Sequence, residues 1–579
     1  MDTVRHKSQK WVLFSLILIA AAIPPCARAQ EIPQGQDVGA QSKRLKEEMK
    51  QRQKELREQK TKAPEIQMEE EREVQKPAAA AAKFTLKDIK IVGATVFAPE
   101  GLRPLYESDL NAEITFQDLE RIAEKIKAFY KKEGYLTTTA YVGEQEIKDG
   151  VVEIRVVEGK MGDLKIEGNK EFKSPLIENY FHTKKNEVLN FYKLQSDLIR
   201  LNQNSDLEVK TLIAAGKAPE TSDIKLDIKE RVPWHLGFGT DNQGSRFTGR
   251  YRTLFSLRGS NATGRFDTFF MSTLLSQGSF GESFSYTIPV NTFGTKFGID
   301  GTYMQTEMGA EYREAEITGK TRIYTPYIVQ EMYLGERFQA YASYGMDIQS
   351  VKKWIGRTIL ITNDQLRIPF AAMDLTWIGD GSRTNFGPRL DVSLEDLFGA
   401  SRRDHPSASR DGSGGCFVKY EQSLSYSQRM PLESYIMLRS QYQIASRTLP
   451  SSEMLQLGGM NSVRGYPEGD FLCDTGGRAS LVWVFPMYLL PQSLKLPGSD
   501  TALRYQIQPV IFYDVGTGHV KKVNVGEKEN KLLMGAGGGL MMSFYNKLYM
   551  QLEWAESLGQ EPVHDLGPAT FNLKFQSEY

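Results

Sequence analysis

The chain has 579 residues, with 72 Lys and Arg against 72 Asp and Glu, and only 3 cysteines. Balanced charge argues against a nucleic-acid-binding protein, which normally carries a strong basic excess. Two of the cysteines, Cys416 and Cys473, fall in the mature chain. They are far apart, lack zinc-ligand spacing, and nothing in the sequence fixes whether they pair.

Residues 1–29 read as a secretory signal. Arg5, Lys7 and Lys10 supply the positive start, Trp11 to Ile23 the apolar run, and Ala27-Arg28-Ala29 a small-x-small cleavage site. Cys26 lies inside this segment and is discarded with it. No later stretch offers about eighteen consecutive apolar residues, so no transmembrane helix is expected after the signal. A secreted chain of this kind is either soluble or a β-barrel.

Residues 41–75 are dense in Lys, Arg, Glu and Gln, with Glu/Lys and Glu/Arg pairs three or four apart. Leu45, Met49 and Leu56 make a stripe too thin for a core helix. The segment is either a solvated linker or a polar helix standing in an aqueous lumen. Pro77 and the alanine run to Ala82 read as a flexible tether.

An internal repeat follows. Leu86-Lys-Asp-Ile-Lys-Ile-Val-Gly-Ala-Thr95 and Met161-Gly-Asp-Leu-Lys-Ile-Glu-Gly-Asn-Lys170 match in register at Asp, Lys, Ile and Gly. In the first unit Thr115 and Asp118 form a capping box ahead of the stripe Phe116, Leu119, Ile122, Ala123, Ile126, Phe129. Val152, Ile154 and Val156 then alternate with Glu153 and Arg155 as a half-buried strand. In the second unit Phe191, Leu194, Leu198 and Leu201 form the helical stripe, followed by strands near Leu207–Ile213 and Ile224–Glu230. The pattern predicts two small α+β domains in tandem, 84–160 and 161–232.

From Trp234 onward helical stripes disappear and period-two segments rich in Gly, Tyr, Phe, Ser and Thr take over. Tyr251, Thr253, Phe255 and Leu257 alternate with arginines and Ser256; Ile436, Leu438, Tyr442 and Ile444 alternate with Arg439, Gln441 and Gln443; Leu548, Met550, Leu552 and Trp554 alternate with Lys547, Gln551 and Glu553. The run from 233 to 579 exceeds an ordinary sandwich, and its aromatic strand ends suit interfacial girdles. At roughly twenty residues per strand plus turn it holds about sixteen strands of a transmembrane antiparallel β-barrel. Phe571, Leu573, Phe575 and Tyr579 carry the alternation to an aromatic terminus.

Within this run, Leu457-Gly-Gly-Met-Asn-Ser-Val-Arg-Gly-Tyr466 reads as a long loop presenting one arginine. Residues 502–515 read as a strand with Arg504, Gln506, Gln508, Phe512 and Asp514 on one face and Leu503, Tyr505, Ile507, Ile511, Tyr513 and Val515 on the other. Asp514 is thus expected on the inner, polar wall. No enzyme is expected: His182, His235, His405, His519 and His564 are scattered, without metal-ligand spacing, nucleophile elbow or phosphate loop. No cofactor and no metal are expected either.

Signal, polar helix, repeated α+β units, barrel and arginine loop together resemble the two-partner secretion transporters of the ShlB/FhaC/HecB type, within the superfamily of POTRA-bearing outer-membrane barrels. The residues that carry the resemblance are Gly458, Gly459, Val463, Arg464, Gly465 and Tyr466, then Asp474-Thr-Gly476, then Phe512-Tyr-Asp-Val-Gly516, with Gly237 to Gly249 similar to the family's opening strand motif. The resemblance implies a signal at 1–29, a plug helix region at 30–60, a linker at 61–83, POTRA domains at 84–160 and 161–232 in the periplasm, and a barrel at 233–579 in the bacterial outer membrane. It implies that Val463, Arg464, Gly465 and Tyr466 tip the sixth extracellular loop, folded back so that Arg464 pairs with Asp514 on the wall. Gly458, Gly459, Asp474, Gly476 and Gly516 would support that arrangement.

The implied function is export of an unfolded client polypeptide, a large β-helical exoprotein, captured in the periplasm by strand addition to a POTRA edge. The other partners expected are outer-membrane lipid and the assembly machinery, engaged through the C-terminal strand; the chain is expected to be a monomer and to bind no nucleic acid. Alternatives are an outer-membrane protein insertase of the same superfamily and a passive diffusion pore. Insertases usually carry more POTRA units and no plug helix, and a plain pore leaves the periplasmic repeats unexplained.

Overall fold

The computed structural model describes residues 36–58, 66–68, 83–523, 528–562, 567 and 569–579. The expected signal, the alanine run and most of the expected linker lie outside the described residues.

The first α+β unit is a three-stranded sheet in which Val151–Val157 lies between Asp88–Val92, parallel, and Thr139–Val142, antiparallel. Its helix, Phe116–Lys132, starts at the expected capping box, with Asp118 accepting from the Thr115 amide at 2.9 Å and Thr115 accepting from the Asp118 amide at 3.4 Å. That cap fixes the helix phase, so Leu119, Ile122, Ile126 and Tyr130 face Val152, Ile154 and Val156 in one buried core. The second unit repeats the plan. Asn190 caps the helix Phe191–Asn202, which covers a sheet built from Lys160–Glu167, Thr221–Glu230 and Leu207–Ala215. A further three-residue strand, Ile66–Met68, adds in parallel to the outer edge of Leu207–Ala215. No apolar alternation announces that strand, because three residues carry no period.

Sixteen antiparallel strands, from Trp234–Asp241 to Ala569–Glu578, close into a barrel, the last pairing with the first from Gly237↔Glu578 to Asp241↔Lys574. Alternation sorts the side chains as the sequence suggests. Leu236, Phe238, Trp377, Leu481, Trp483, Ile511, Tyr513, Trp554 and Phe571 face outward and exposed, whereas Ser283, Thr302, Thr321, Asp347, Lys419, Gln443 and Glu553 are buried inside. An apolar exterior around a polar interior is the arrangement a barrel needs in lipid. One expectation is corrected. The strand bearing Asp514 begins at Ile507 rather than 502, and Leu503–Gln506 forms a helical turn. That turn is bound to the preceding connection: Met487 N donates to Arg504 O at 2.8 Å, and Gln506 Nε2 donates to Thr501 O at 2.7 Å. These bonds outweigh the local strand pattern.

The second α+β unit docks on the barrel's near rim. Arg200 reaches both carboxylate oxygens of Glu331, at 3.2 and 2.6 Å, while Phe266 of a barrel turn sits against Phe172 and Tyr180. Asp206 accepts from His235 Nε2 at 2.9 Å and Arg258 Nη1 at 3.4 Å. The strand Trp234–Asp241 therefore leaves this rim. The connections 242–251, 393–417 and 446–474 and the segment 520–523 consequently lie at the opposite, outer mouth.

The helix Val38–Glu58 stands inside the barrel, starting slightly before the polar run. Val38 and Leu45 pack with Leu274, Met304 and Val351, and Met49 is also buried. The remaining fit is electrostatic. Lys46 pairs with Asp347 at 2.7 Å, Lys43 with Glu421 at 3.3 Å and Arg52 with Glu578 at 3.3 Å; in the reverse sense Asp37 pairs with Lys353 at 2.9 Å and Glu48 with Arg252 at 3.3 Å. Cys416 and Cys473 are both free thiols, Cys473 fully buried.

Candidate functional site

The loop 446–474 joins the strands Tyr435–Ala445 and Thr475–Val484, and it turns back into the lumen instead of standing in solvent. Its arms pair as a short hairpin, Leu455–Leu457 with Phe471–Cys473, which gives the descending backbone its own hydrogen bonds. Between the arms Val463 and Tyr466 join a buried cluster with Leu366, Ile368, Leu457 and Leu533. Apolar packing therefore holds the tip in place, and its one cation is placed by that packing.

Arg464 and Asp514 meet, as the resemblance implies. Arg464 Nε donates to Asp514 Oδ2 at 2.7 Å and Nη2 to Oδ1 at 2.7 Å, a two-pronged contact that fixes the guanidinium plane. The Arg464 amide adds a third bond to Oδ2 at 3.0 Å. The other edge of the guanidinium is also used: Nη1 donates to Glu553 Oε1 at 3.1 Å and Nη2 to Ser480 Oγ at 2.9 Å. Its carbon lies 3.4 Å from the ring centre of Phe512, over the aromatic face. Asp514 is 0% exposed, Glu553 1% and Arg464 5%, so the pair and its neighbours are shut away from bulk water.

Two glycines make this approach possible. Gly465 has φ +91°, and a Cβ there would meet the Ser557 backbone at 2.7 Å. At Gly535 a Cβ would run into the Arg464 carbonyl oxygen. The loop backbone thus lies directly against the wall, as only residues without side chains allow. Tyr466 then turns its ring into the cluster and accepts a hydrogen bond from Gly559 N at 3.1 Å through its hydroxyl.

The remaining residues singled out from sequence divide into two groups. Gly516 lines the wall beside Val463, and Gly458 and Gly459 form the bend above Glu468 and Asp470, so these three belong to the loop's seat. Asp474 and Gly476 stand apart at the outer mouth, where Asp474 pairs with Arg410. Sequence reading missed Glu553 as a second acid for Arg464, although its place on the polar face of Leu548–Ser557 was readable. It also missed Lys531, which is fully buried and paired with Asp470 near the loop's base.

Glu468 links the loop to the lumenal helix. Its carboxylate accepts from Arg44 Nη1 at 3.2 Å and from Met460 N at 2.9 Å, and its carbonyl accepts from Gln36 Nε2 at 2.7 Å. Helix, loop and wall are therefore tied together by polar contacts inside the barrel.

Residues 220–542 match the family model described as haemolysin secretion/activation protein ShlB/FhaC/HecB, and residues 84–159 match the ShlB-type POTRA domain. The heme/hemopexin transporter protein HuxB of Haemophilus influenzae is 23% identical over 478 residues, covering 80% of this chain and 81% of its own. The hemolysin transporter protein HpmB of Proteus mirabilis is 25% identical over 405 residues, 65% of this chain and 69% of its own. Among solved structures, CdiB from Escherichia coli superposes with a TM-score of 0.75 at 19% identity, covering 96% of this chain and 100% of that one, which shows a shared fold.

Proposed function

The chain belongs to the ShlB/FhaC/HecB family of haemolysin secretion/activation proteins, and from that membership we propose that Arg464, Asp514 and Glu553 form the latch that keeps its export pore shut at rest. The protein is an outer-membrane transporter of the two-partner secretion type, its POTRA region in the periplasm and its barrel across the membrane. Its partner is a secreted client polypeptide. HuxB is named as a heme/hemopexin transporter and HpmB as a hemolysin transporter, and a large β-helical exoprotein is the client class we assign here.

One observation carries the latch: a loop arginine, nearly fully buried inside a barrel, placed between two wall carboxylates. A buried guanidinium with two acids is stable only while all three stay together. Departure of the loop exposes both partners to lumen water at once, so the contact favours one closed position yet permits opening. The division of the chain into signal at 1–29, plug region at 30–60, linker at 61–83, POTRA domains at 84–160 and 161–232 and barrel at 233–579 belongs to the same reading. So do a monomeric barrel and delivery of its C-terminal strand to the assembly machinery; that strand closes the barrel against the first.

Comparing secreted and outer-membrane proteins with and without this protein tests the reading. Loss of one large secreted polypeptide is the expected result. General depletion of outer-membrane barrels would instead mark an insertase, and no loss of either would leave a diffusion pore.

A further inference from the structure

At the outer mouth, away from the Arg464 cluster, one carboxylate gathers three loops. Asp474, 0% exposed, accepts from Arg410 Nη1 at 2.8 Å and Nη2 at 3.2 Å, from Leu449 N at 2.7 Å and from Lys521 N at 2.8 Å. Arg410 spends its remaining donors on the same elements: Nη1 also donates to Leu449 O at 2.8 Å and Nη2 to Lys522 O at 2.9 Å. Arg410 comes from the loop 393–417, Leu449 from 446–474, and Lys521 and Lys522 from 520–523. Beneath this knot Phe417, Leu449, Met454, Leu472 and Val520 belong to the same buried apolar cluster that holds Val463 and Tyr466 of the loop tip and Ala40 of the lumenal helix.

We infer that Arg410 and Asp474 are positioning residues of an outer seal, which ties 393–417, 446–474 and 520–523 together over the exit and parts when the client emerges. This rests on the export reading given above. The physical reasoning concerns how such a pair behaves on opening. A buried ion pair gains little net stability over an apolar pair of equal volume, because its attraction is largely offset by lost hydration. When the loops separate, both charges return to water together and recover that hydration. The same pair penalises any arrangement in which only one partner remains buried. It therefore specifies one closed geometry without fastening it irreversibly. An entirely apolar cap would pay the full exposure of its layer at each opening, with nothing recovered. The seal shares that apolar cluster and the loop 446–474 with the inner latch and differs from it in its ion pair: Arg464 binds Asp514, Glu553 and Ser480, and Arg410 binds none of these.

Cys473 supplies a native reporter, since it is fully buried beside Asp474 within this cluster. In full-length protein carrying Cys26→Ser and Cys416→Ser, maleimide labelling of Cys473 reads opening of the seal without reference to any client. Asp474→Asn is expected to raise the labelling rate at least ten-fold while the barrel still shows heat-modifiable migration; an unchanged rate overturns the seal. A lock guards against a variant that merely fails to fold. Ser409 Oγ lies 3.3 Å from Ser451 N, across two of the three loops, near enough for a cysteine pair to bridge them. With Ser409→Cys and Ser451→Cys in the same background, oxidation is expected to stop secretion of the client and reduction to restore it. Undiminished secretion by the oxidised protein overturns the inference. Absence of any secreted client from the unmodified strain would count against the export reading instead, and the labelling result would still decide the seal.

Discussion

Lys46 Nζ lies 2.7 Å from one oxygen of Asp347, and Arg389 Nη2 lies 2.8 Å from the other, so a single wall carboxylate holds the lumenal helix while remaining compensated by the wall itself. Removing the lysine strands no charge, which makes this contact a lever on the helix alone. Lys46→Ala is expected to weaken seating of the helix by about 1.5–2 kcal/mol, the lower part of the range for a hydrogen bond to a charged group. The corresponding rise in open time in planar bilayers is roughly ten- to thirty-fold. Raising the salt from about 0.1 M to 1 M shortens the screening length from about 10 Å to about 3 Å, and should lengthen open times in the unmodified protein in the same direction. Open times indifferent to both changes would show that packing, not charge, retains the helix.

At the inner latch, Arg464→Lys keeps the charge but loses the fork that spans Asp514, Glu553 and Ser480. The variant is expected to insert as a folded barrel and to secrete its client at least ten-fold less, by quantitative immunoblot. Arg464→Ala leaves Asp514 and Glu553 buried without their partner, a situation that typically costs about 3–5 kcal/mol. Its loop should therefore leave the wall, making the tip accessible to protease. Adding Asp514→Asn should restore part of the loop's protection without restoring secretion, since it relieves one stranded charge and rebuilds no latch. Full secretion by Arg464→Ala would remove the latch from the mechanism.

Glu158 governs the acid sensitivity of the first α+β unit. Burial alone would raise its carboxyl, but the hydroxyl of Thr95, the amides of Val96 and Thr95 and the Tyr130 hydroxyl together hold it below the ordinary range. A carboxyl depressed on folding contributes stability that is fully present above its unfolded value and is lost as pH falls through the folded one. Glu158→Gln is thus expected to destabilise this unit by about 1–3 kcal/mol at neutral pH, with the gap to the unmodified protein closing below about pH 4. Hydrogen exchange of the helix Phe116–Lys132 in the full-length protein measures it, and a gap that persists in acid would contradict the assignment.

Asp206 joins the second α+β unit to the barrel rim. Despite burial, which raises its carboxyl, bonds from Ser260 and Ser205 and the charges of Arg258 and His235 bring it below the ordinary value. Asp206→Asn is expected to loosen docking without unfolding either body, because Arg200–Glu331 and the Phe266 contacts remain. Spin-label distances between the helix Phe191–Asn202 and the turn 335–337 should broaden. An unaltered distribution would show that the apolar contacts alone set the junction.

The parts of the fold that repeat were readable from the chain. Val152, Ile154 and Val156 and the Thr115–Asp118 box announced the first unit, and period two separated lipid-facing Ile511 and Tyr513 from inward Phe512 and Asp514. The meeting of Arg464 with Asp514 followed from resemblance joined to that alternation. What stayed hidden depends on pairs far apart in sequence. Glu553 was readable as inward but not as Arg464's second acid, and nothing local to Arg410 announces Asp474, 64 residues away. Leu503–Gln506 misled because four residues satisfy a strand's alternation as easily as a turn's.

The three-residue strand Ile66–Met68 also sets the helix's tether length. From Glu58, the end of the helix, eight residue steps lead to Ile66, a reach of at most about 29 Å when fully drawn out. The helix Val38–Glu58 is itself about 31 Å long, so while that strand stays paired to Thr211–Ile213 the C-terminal end of the helix stays within about one helix length of it. Once the strand lets go, the next fixed point is near residue 84, and the available span roughly triples to about 90 Å. A few backbone hydrogen bonds on a periplasmic sheet edge thereby bound how far the end of the helix can lie from the second α+β unit, at a point well outside the barrel.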